Sequence, residues 1–472
     1  MKRAKVLLTG ATGNMGVEGL KQLAANPIKY HVIVFALPTN KDKKLLKKYE
    51  HHKNVSIVWG DLANYVDVKN AVDEVDIVLH VGALVSPMAD HKPDLAWKVN
   101  FDGTKNIVDA LRARSDSDKV KLVYIGTVAE TGNRTAPYHW GRIGDPLFPS
   151  IFDNYALSKI AAERYVIESG LKNWVSLRQT AIMHEKLLDV NDGIGYHMPL
   201  NSKLEWITAR DSGRLLLNIC SEDIPKEFWN NLYNIGGGAT CRFTGFQFLN
   251  SIYSMLGVDF RELEHPNWYA LRNFHGHWYY DSDKLDDYLH FRSESVDDVI
   301  ARIKKKLPLS FRLLVYLPKK IVTIIMRKKA LNGDTPLMWI KNNKEDKIKA
   351  FFGSKEKWKE IPDWDKFVGV VDLPHEKLNH GWDESITDNE LALEHIKRAA
   401  EYRGGKCLST NMITGDLKTK LKWICALGHE FRASPYLVLK TGHWCEECMK
   451  PPWNFDEQAK LNPFIAQVWN AQ

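Results

Sequence analysis

KVLLTGATGNMG, residues 5–16, places Gly10, Gly13 and Gly16 directly after a short apolar run. The apolar run predicts a buried strand of a parallel sheet, and the following residues, VEGLKQLAA, predict an amphipathic helix. A glycine turn between strand and helix lets the backbone approach a pyrophosphate closely and points the positive end of the helix at it. The stretch therefore predicts a dinucleotide site, although an ordinary tight turn can have the same glycine spacing.

Four further apolar runs repeat the pattern, with helical segments between them. They are HVIVFAL (31–37), VSIVWGDL (55–62), VDIVLHVGALV (75–85) and VKLVYIGTVAE (120–130). Strands that alternate with helices predict right-handed crossovers and a doubly wound parallel sheet of the Rossmann type. The fold class is therefore α/β, with the ligand expected beyond the carboxyl ends of the strands.

The composition describes a globular protein of more than one domain. With 472 residues, 44% of them hydrophobic, the chain predicts two or three domains. Its formal charge of +7 permits an anionic ligand without requiring one. The N-terminus enters the first strand directly and no apolar run approaches the roughly 20 residues that span a bilayer, so we expect a cytoplasmic protein. Cys220, Cys241 and Cys407 are expected to be reduced thiols.

The end of the second strand bears on the choice of cofactor. NAD enzymes usually have an acidic side chain there for the ribose hydroxyls, whereas this chain has Ala36 and Leu37, followed by Lys41, Lys43 and Lys44. This pattern favours NADP over NAD. NAD remains the alternative, because lysines at the solvated start of a helix give the same sequence.

A helical segment, DNYALSKIAAE (153–163), carries Tyr155 and Lys159 four residues apart. This spacing puts both on one face of a helix, where the ammonium is expected to lower the pKa of the phenol from about 10. Such a tyrosine can pass a proton to or from a substrate oxygen. On its own the pair also occurs by chance on exposed helices.

Seven motifs in this order resemble the extended short-chain dehydrogenases/reductases, a group that includes the NAD-dependent epimerase/dehydratase family. The resemblance covers roughly residues 3–300. The motifs are TGATGNMG (9–16), GDL (60–62), HVGA (80–83), VNFDGTKNIVDA (99–110), Thr127 at a strand end, YALSK (155–159) and SLRQT (176–180).

The resemblance implies an NAD(P)-dependent oxidoreductase. Its catalytic residues would be Thr127, Tyr155 and Lys159, with hydride moving between nicotinamide and a substrate carbon. The glycines would hold the pyrophosphate, Asp61 and Leu62 would lie at the adenine, and Lys159 would contact the nicotinamide ribose. The implied cofactor-binding set is Gly10, Thr12, Gly13, Asn14, Met15, Gly16, Asp61, Leu62 and Lys159.

The chain also departs from the sugar-nucleotide members of that group. GTVAETG stands where epimerases have a Ser-Ser/Thr run leading to Val-Tyr-Gly, and Glu130 comes one place too late for a dehydratase acid. Carbonyl reduction or alcohol oxidation of a small, lipophilic substrate is therefore the leading hypothesis. The alternatives are a nucleotide-sugar epimerase/dehydratase and a non-catalytic NAD(P)H-sensing protein. The loop 131–151, with His139, Trp140, Arg142 and Asp145, is expected to border the substrate.

Residues 302–329 contain ten lysines or arginines and no acid, around the apolar clusters LLVYL and IVTIIM. Basic flanks around short apolar runs are typical of peripheral membrane contact. A pair of helices packed on a substrate lobe gives the same pattern, and this interpretation is favoured. We predict an oxidoreductase domain over 1–300, comprising the Rossmann core and a small substrate lobe, followed by a basic, aromatic helical connector over 301–380.

Near the C-terminus, Cys425-x3-His429 and Cys445-x2-Cys448 form two ligand pairs separated by fifteen residues. This spacing predicts one tetrahedral, structural Zn²⁺ whose four protein ligands leave no open position. His443 is a less favoured alternative ligand.

The segment from Gly404 resembles small zinc-ribbon or treble-clef domains. Residues 381–472 are therefore expected to form a helix, over 387–403, and a zinc-ribbon-like domain without which the Rossmann unit stays folded. The expected partner is a small-molecule substrate. A homodimer is compatible with the sequence, and nucleic acid is not expected.

Overall fold

The computed structural model describes residues 3–187, 193–307, 318–367, 369 and 373–471. Its strands are β1 (Ala4–Thr9), β2 (Tyr30–Ala36), β3 (Val55–Trp59), β4 (Ile77–His80), β5 (Lys121–Thr127), β6 (Trp140–Gly141), β7 (Trp174–Gln179), β8 (Ile182–Met183), β9 (Lys203–Glu205), β10 (Ile207–Thr208), β11 (Asn231–Ile235), β12 (Arg242–Thr244), β13 (Trp278–Tyr279), β14 (Lys406–Cys407), β15 (Leu421–Ile424) and β16 (Glu430–Ala433).

The helices connect and cover these strands. They are α1 (Asn14–Ala24), α2 (Asn40–Leu46), α3 (Tyr65–Ala71), α4 (Met88–His91), α5 (Pro93–Ala96), α6 (Gly103–Arg112), α7 (Asn154–Ile167), α8 (Ala209–Asn218), α9 (Gly245–Met255), α10 (Ser282–Leu289), α11 (Val296–Lys306), α12 (Lys319–Ala330), α13 (Pro336–Lys341), α14 (Glu345–Phe352), α15 (Lys355–Lys359), α16 (Leu393–Tyr402), α17 (Pro435–Lys440), α18 (Phe455–Leu461) and α19 (Pro463–Trp469).

Seven strands form the central sheet in the order β11-β7-β5-β4-β1-β2-β3, and every neighbouring pair is parallel. The predicted α/β Rossmann fold is therefore confirmed. The strand order changes direction between β1 and β4, where the crevice of a doubly wound sheet receives its ligand. The glycine turn of residues 10–16 follows β1 and lies at this point.

Both faces of the sheet are covered, which explains why its strands are apolar throughout. On one face, α1, α8 and α10 bury residues such as Leu20, Leu216 and Leu285. On the other, α3, α6 and α7 share a core with residues of the C-terminal segment, among them Trp423 and Leu437. The Rossmann unit and the C-terminal segment thus bury apolar surface against each other.

Some strands end earlier than the sequence predicts. The segment predicted as a strand over 75–85 is a strand only over Ile77–His80, and β3 ends at Trp59, before Leu62. The residues after His80 leave the sheet as a loop, because side chains of other residues form hydrogen bonds with the backbone of this loop. α7 extends four residues beyond its predicted end at Glu163.

Three short strand pairs, β8 with β10, β9 with β12 and β6 with β13, belong to the predicted small lobe. Residues of α9 and α11 pack with them around Trp206 and Phe248. Helices α12 to α15 follow in the connector, but residues 308–317 of the basic segment lie outside the described residues. Among the helices that are described, none is both long and apolar enough to cross a bilayer. The boundaries at residues 300 and 380 stay predictions.

The C-terminal segment contains a three-stranded antiparallel sheet, β14-β15-β16, flanked by α16 and α17. The predicted helix over 387–403 begins later, at Leu393, because Thr387 and Glu390 cap a separate short turn over Asp388–Glu390. We call residues 393–471 the C-terminal module. The module and the Rossmann unit share a core. This gives no support to the expectation that the Rossmann unit stays folded without the module.

Candidate active site and metal centre

The turn after β1 has the close backbone packing that the glycine motif predicts. Gly10 has a φ of +66°, and a Cβ there would lie 2.7 Å from the backbone of Gly82. A Cβ at Gly16 would overlap the carbonyl of Gly10. Gly13 caps α1 and, like Asn14, is exposed at the N-terminus of that helix, where free amides favour an anion. The turn fits the pyrophosphate of a dinucleotide.

The other predicted cofactor residues lie around this turn. Thr12 is half-buried in it, whereas the Met15 side chain is buried in the core, so Met15 supports the turn from beneath. Leu62 packs beside Gly82, which borders the same turn. Asp61 follows β3, and its Oδ1 accepts a hydrogen bond from the Ala63 amide at 2.9 Å.

A chain of buried hydrogen bonds fixes the loop after β4. The Gly82 amide donates to Thr9 Oγ1 at 2.9 Å, and the two nitrogens of His80 bond Thr9 Oγ1 and Thr104 Oγ1, each at 2.9 Å. Burial lowers the pKa of His80 to about 3, so the ring is neutral, with one nitrogen accepting and one donating.

Asn100 continues this arrangement and was not singled out by the sequence. Its Oδ1 accepts from the Leu84 amide at 2.7 Å, and its Nδ2 donates to the Leu84 carbonyl at 3.0 Å and to Ser158 Oγ at 2.9 Å. Asn100 thereby ties the loop after β4 to α7. In the sequence, Asn100 is marked only as a polar residue within the motif VNFDGTKN. The fold buries its side chain.

Thr127 and Tyr155 are brought together at the carboxyl end of the sheet. Thr127 is the last residue of β5, and Tyr155 lies in the first turn of α7. Burial raises the pKa of Tyr155 above its usual value of about 10, although the Thr127 hydroxyl nearby lowers it. In this structure Tyr155 is therefore a neutral phenol.

Lys159 lies beneath the same site but points elsewhere. Its ammonium donates to the Ile125 carbonyl at 2.7 Å and lies 4.1 Å from the centre of the Tyr124 ring. Burial lowers the pKa of Lys159 to about 8, while Glu130 and Glu163 raise it. The expectation that Lys159 lowers the pKa of Tyr155 is not met here, since the ammonium binds the backbone of β5.

Behind β5 lies a buried charge cluster that the sequence did not predict. Arg178 donates from Nη2 to Glu163 Oε2 at 2.7 Å, and its Nε is 3.4 Å from Glu130 Oε2. Glu163 also accepts from Ser176 Oγ at 2.6 Å, and Glu130 Oε1 accepts from the Thr127 amide at 3.0 Å. The charged side chains are at most 1% exposed. We call Glu130, Glu163 and Arg178 the buried charge cluster.

A cavity of about 420 Å³ opens beside Tyr155. Its walls are mainly apolar and aromatic, contributed by both the small lobe and the connector. Six of these wall residues are Met198, Leu204, Trp206, Phe248, Phe274 and Met326. Trp206, Tyr269 and Phe274 are among its aromatic wall residues.

One carboxyl group also lines this cavity. Glu264 is only 5% exposed, and its two oxygens accept hydrogen bonds from the hydroxyls of Tyr253 and Tyr269. Burial raises the pKa of Glu264, although these two hydrogen bonds lower it. The cavity is thus mainly apolar, with Glu264, His275 and Lys329 as its titratable side chains besides the tyrosines.

Of the loop 131–151, His139, Trp140, Arg142 and Asp145 do not line this cavity, whereas Ser150 and Ile151 line a neighbouring cavity that shares Phe274 and His275 with it. Asp145 instead bonds His380 at 2.9 Å, and Arg142 bonds Glu384 at 2.8 Å. These side chains hold the segment that leads into the C-terminal module.

Cys425, His429, Cys445 and Cys448 come together with their ligand atoms within 4.8 Å of one another. His429 Nδ1 lies 3.4, 3.6 and 3.5 Å from the three sulfurs in turn, and the sulfurs of Cys425 and Cys448 are 3.6 Å apart. A tetrahedral Zn²⁺ with Zn–S of about 2.3 Å and Zn–N of about 2.0 Å requires spacings of about 3.5 to 3.8 Å. The donor set and its geometry therefore fit zinc.

The alternative ligand His443 lies outside this group and turns towards Glu163 at 3.1 Å, and the Cys407 thiol is buried in β14. Cys220 and Cys241 are likewise free, buried thiols.

The chain was compared with known proteins. Residues 6–182 match the NAD dependent epimerase/dehydratase family. The matched segment contains the glycine turn, Thr127, Tyr155 and Lys159, whereas the connector and the C-terminal module lie beyond it.

Relatives of this segment include dehydrogenases. The chain is 26% identical to 3 beta-hydroxysteroid dehydrogenase type 7 of Rattus norvegicus over 167 residues, which cover 35% of this chain and 48% of the relative. It is 30% identical over 131 residues to the uncharacterized membrane protein MJ1061 of Methanocaldococcus jannaschii, covering 27% and 37%. The chain thus spans less than half the length of these relatives.

Among solved structures, dTDP-glucose 4,6-dehydratase from Streptomyces venezuelae, with NAD bound, is similar in fold. The TM-score is 0.51 at 21% identity, and the match covers 64% of this chain and 96% of the dehydratase.

We predict that Cys445→Ser lowers the zinc content of the purified protein from about one ion per chain to near zero, because three ligands hold Zn²⁺ poorly in a structural site. The melting temperature of the C-terminal module should fall with it. Metal analysis and thermal unfolding check this. Cys407→Ser is the matched control, since Cys407 is a buried thiol outside the ligand group. Zinc retained by Cys445→Ser would contradict the assignment.

Proposed function

We propose that this protein is an NAD(P)-dependent oxidoreductase that transfers hydride between nicotinamide and a carbonyl or alcohol carbon of a largely apolar small molecule. The observation that carries the proposal is the position of Tyr155 at the wall of an apolar cavity, at the ligand-binding end of a Rossmann sheet. The dehydrogenases among the relatives support the same class of reaction.

The neutral phenol of Tyr155 suits the direction of reduction. When bound, the nicotinamide cofactor supplies or accepts the hydride. Tyr155 would donate its proton to the carbonyl oxygen as the carbon is reduced, or take it back as an alcohol is oxidised. Thr127, whose hydroxyl lowers the pKa of Tyr155, would orient the same oxygen. Lys159 is assigned to the nicotinamide ribose, and its ammonium would leave the Ile125 carbonyl to reach it.

The cavity favours an apolar substrate over a nucleotide sugar. Apart from Lys329, its described wall offers no lysine or arginine to bind a pyrophosphate. Glu264 is the one carboxyl group of the described wall, and it suits a hydrogen-bond donor such as a hydroxyl or an ammonium at the end of the substrate. A non-catalytic sensor is less well supported, because the chain keeps Thr127, Tyr155 and Lys159, and Tyr155 lines the cavity.

NADP is the proposed cofactor. Thr39 caps α2 and donates to Asp42 at 2.6 Å, so the acid nearest the end of β2 already has a partner. Lys41, Lys43 and Lys44 in the same helix are available for a 2′-phosphate. Zinc is proposed as a structural ion, since four protein ligands close its coordination sphere.

Tyr155→Phe should lower kcat at least about 100-fold while leaving cofactor affinity within about twofold, because it removes the proton donor and little volume. The measurement is cofactor-coupled turnover against ketones, aldehydes and alcohols, including steroid-like and nucleotide-sugar compounds. Tyr165→Phe is the control, because it removes a hydroxyl on the same helix that bonds Asp109 at 2.7 Å. Wild-type turnover in Tyr155→Phe would overturn the mechanism.

NADPH should bind at least about tenfold more tightly than NADH, as expected when ammonium groups face an added phosphate. Fluorescence titration of both cofactors measures this. In a Lys41→Gln/Lys43→Gln/Lys44→Gln variant the ratio should approach one, whereas Lys47→Gln/Lys48→Gln, in the following turn, should preserve it. Tighter binding of NADH to the wild-type protein would show that these lysines point away from the cofactor.

Peripheral membrane contact through 302–329 is also proposed. Helix α12 exposes Ile321, Ile324 and Ile325 beside its lysines, and its Met326 lines the apolar cavity. Ile324→Glu/Ile325→Glu should reduce co-sedimentation with phosphatidylcholine/phosphatidylserine vesicles several-fold, because exposed apolar area drives interfacial binding. Ile28→Glu, at an isoleucine that is 83% exposed elsewhere, is the control. No sedimentation of the wild-type protein would refute the contact.

A further inference from the structure

The C-terminal module reaches the buried charge cluster through a single loop, residues 441–443. The Thr441 carbonyl accepts from Arg178 Nη2 at 2.9 Å. His443 is 1% exposed, and its Nε2 donates to Glu163 Oε2 at 3.1 Å. Both contacts are made to the pair Arg178–Glu163, which has the shortest N–O distance of the ion pairs in the cluster.

The loop is built to enter the Rossmann unit at this point. Gly442 has a φ of +83°, and a Cβ there would overlap the backbone of Asp145. The Gly442 carbonyl accepts from the Leu147 amide at 3.3 Å. The zinc ligand Cys445 follows two residues after His443, so the metal centre and the entering loop are one continuous stretch.

One hydrogen bond and one electrostatic interaction connect the charge cluster to the catalytic residues. Glu130 Oε1 accepts from the Thr127 amide at 3.0 Å and so fixes the end of β5. Gly126 leaves room for the cluster, since a Cβ there would lie 3.2 to 3.4 Å from Glu130, Arg178 and Glu163. Glu163 also acts on Lys159 through its charge, whereas burial raises the pKa of Glu130 well above its usual range.

We propose that the metal-bound C-terminal module positions the catalytic residues, with His443 and the Thr441 carbonyl orienting Glu163 and Arg178, and through them Glu130, Thr127 and Lys159. The protein is then a zinc-dependent oxidoreductase whose metal never touches substrate or cofactor. This inference rests on the proposed function, because it concerns the cofactor site.

The physical reason is the cost of unpaired charge in a buried site. A carboxylate and a guanidinium at this depth need nearly all of their hydrogen-bond partners from the protein. Without the loop, Glu163 loses a donor, Arg178 loses an acceptor, and water reaches both. Either change would alter the field at Lys159, whose ammonium is the proposed ribose contact. We expect cofactor affinity to fall about tenfold, within the usual range for linked sites.

The test compares His443→Leu and His443→Gln in the full chain. The amide nitrogen of Gln can replace Nε2 as a donor to Glu163, whereas Leu cannot. Zinc content is measured first, followed by the Kd for NADPH and NADH by fluorescence titration. We expect both variants to retain zinc, His443→Leu to bind cofactor about tenfold more weakly, and His443→Gln to recover most of the loss.

Tyr436→Phe is the matched control. Tyr436 lies in α17 of the same module, and its hydroxyl donates to the Asn230 carbonyl of the Rossmann unit at 2.9 Å, with no hydrogen bond to the charge cluster. It tests loss of a hydrogen bond across the same interface, and cofactor affinity should stay within about twofold of wild type. Removal of zinc from the wild-type protein by a chelator should weaken cofactor binding as His443→Leu does, and added zinc should restore it.

Two results would overturn the inference: wild-type Kd values in zinc-loaded His443→Leu, or unchanged affinity after zinc removal. If His443→Leu does not fold, His443→Asn replaces it, because its shorter amide does not reach Glu163. Equal Kd values for His443→Asn and His443→Gln would then be the contrary result. Failure of the wild-type protein to bind either cofactor would instead refute the proposed function, so the two failures are distinguishable.

Discussion

The ion pair between Arg178 and Glu163 is the constraint around which this molecule is assembled. It joins β7 to α7 beneath the carboxyl end of the sheet, and its remaining hydrogen bonds come from Ser176 and from the C-terminal module. Removing one partner of such a buried pair typically costs about 3 to 5 kcal/mol, because the other charge is left uncompensated. Strand β7, helix α7 and the C-terminal module therefore depend on one another.

The same dependence runs through the apolar core. The helical layer on one face of the sheet is completed by residues of the C-terminal module, including Trp423 and Leu437. The C-terminal module is thus held by burial against the Rossmann unit. It packs as part of a larger core, in place of an appendage on a linker.

The sequence predicted those features that depend on local pattern. Gly10 and Gly16 need no knowledge of distant residues, because a strand, a tight turn and a helix are neighbours along the chain. The Cys/His group was equally accessible through its spacing. The clustering of Glu130, Glu163 and Arg178 was not, since nothing in their spacing along the chain shows that the fold buries them together. The loop 131–151 was assigned to the substrate because it lies between Thr127 and Tyr155 in sequence, whereas Arg142 and Asp145 in fact bind residues more than 200 positions away.

The bond between His443 and Glu163 spans 280 residues, and that between Arg178 and the Thr441 carbonyl spans 263. On a ribosome, which extends chains from the N-terminus, all seven strands of the sheet are made long before this loop exists. The charged pair must then remain in contact with water, and the layer of α6 and α7 must stay partly uncovered, until the last residues emerge. The nascent protein therefore passes through a stage with an assembled sheet and an open interior, in which exposed apolar surface is a hazard for aggregation.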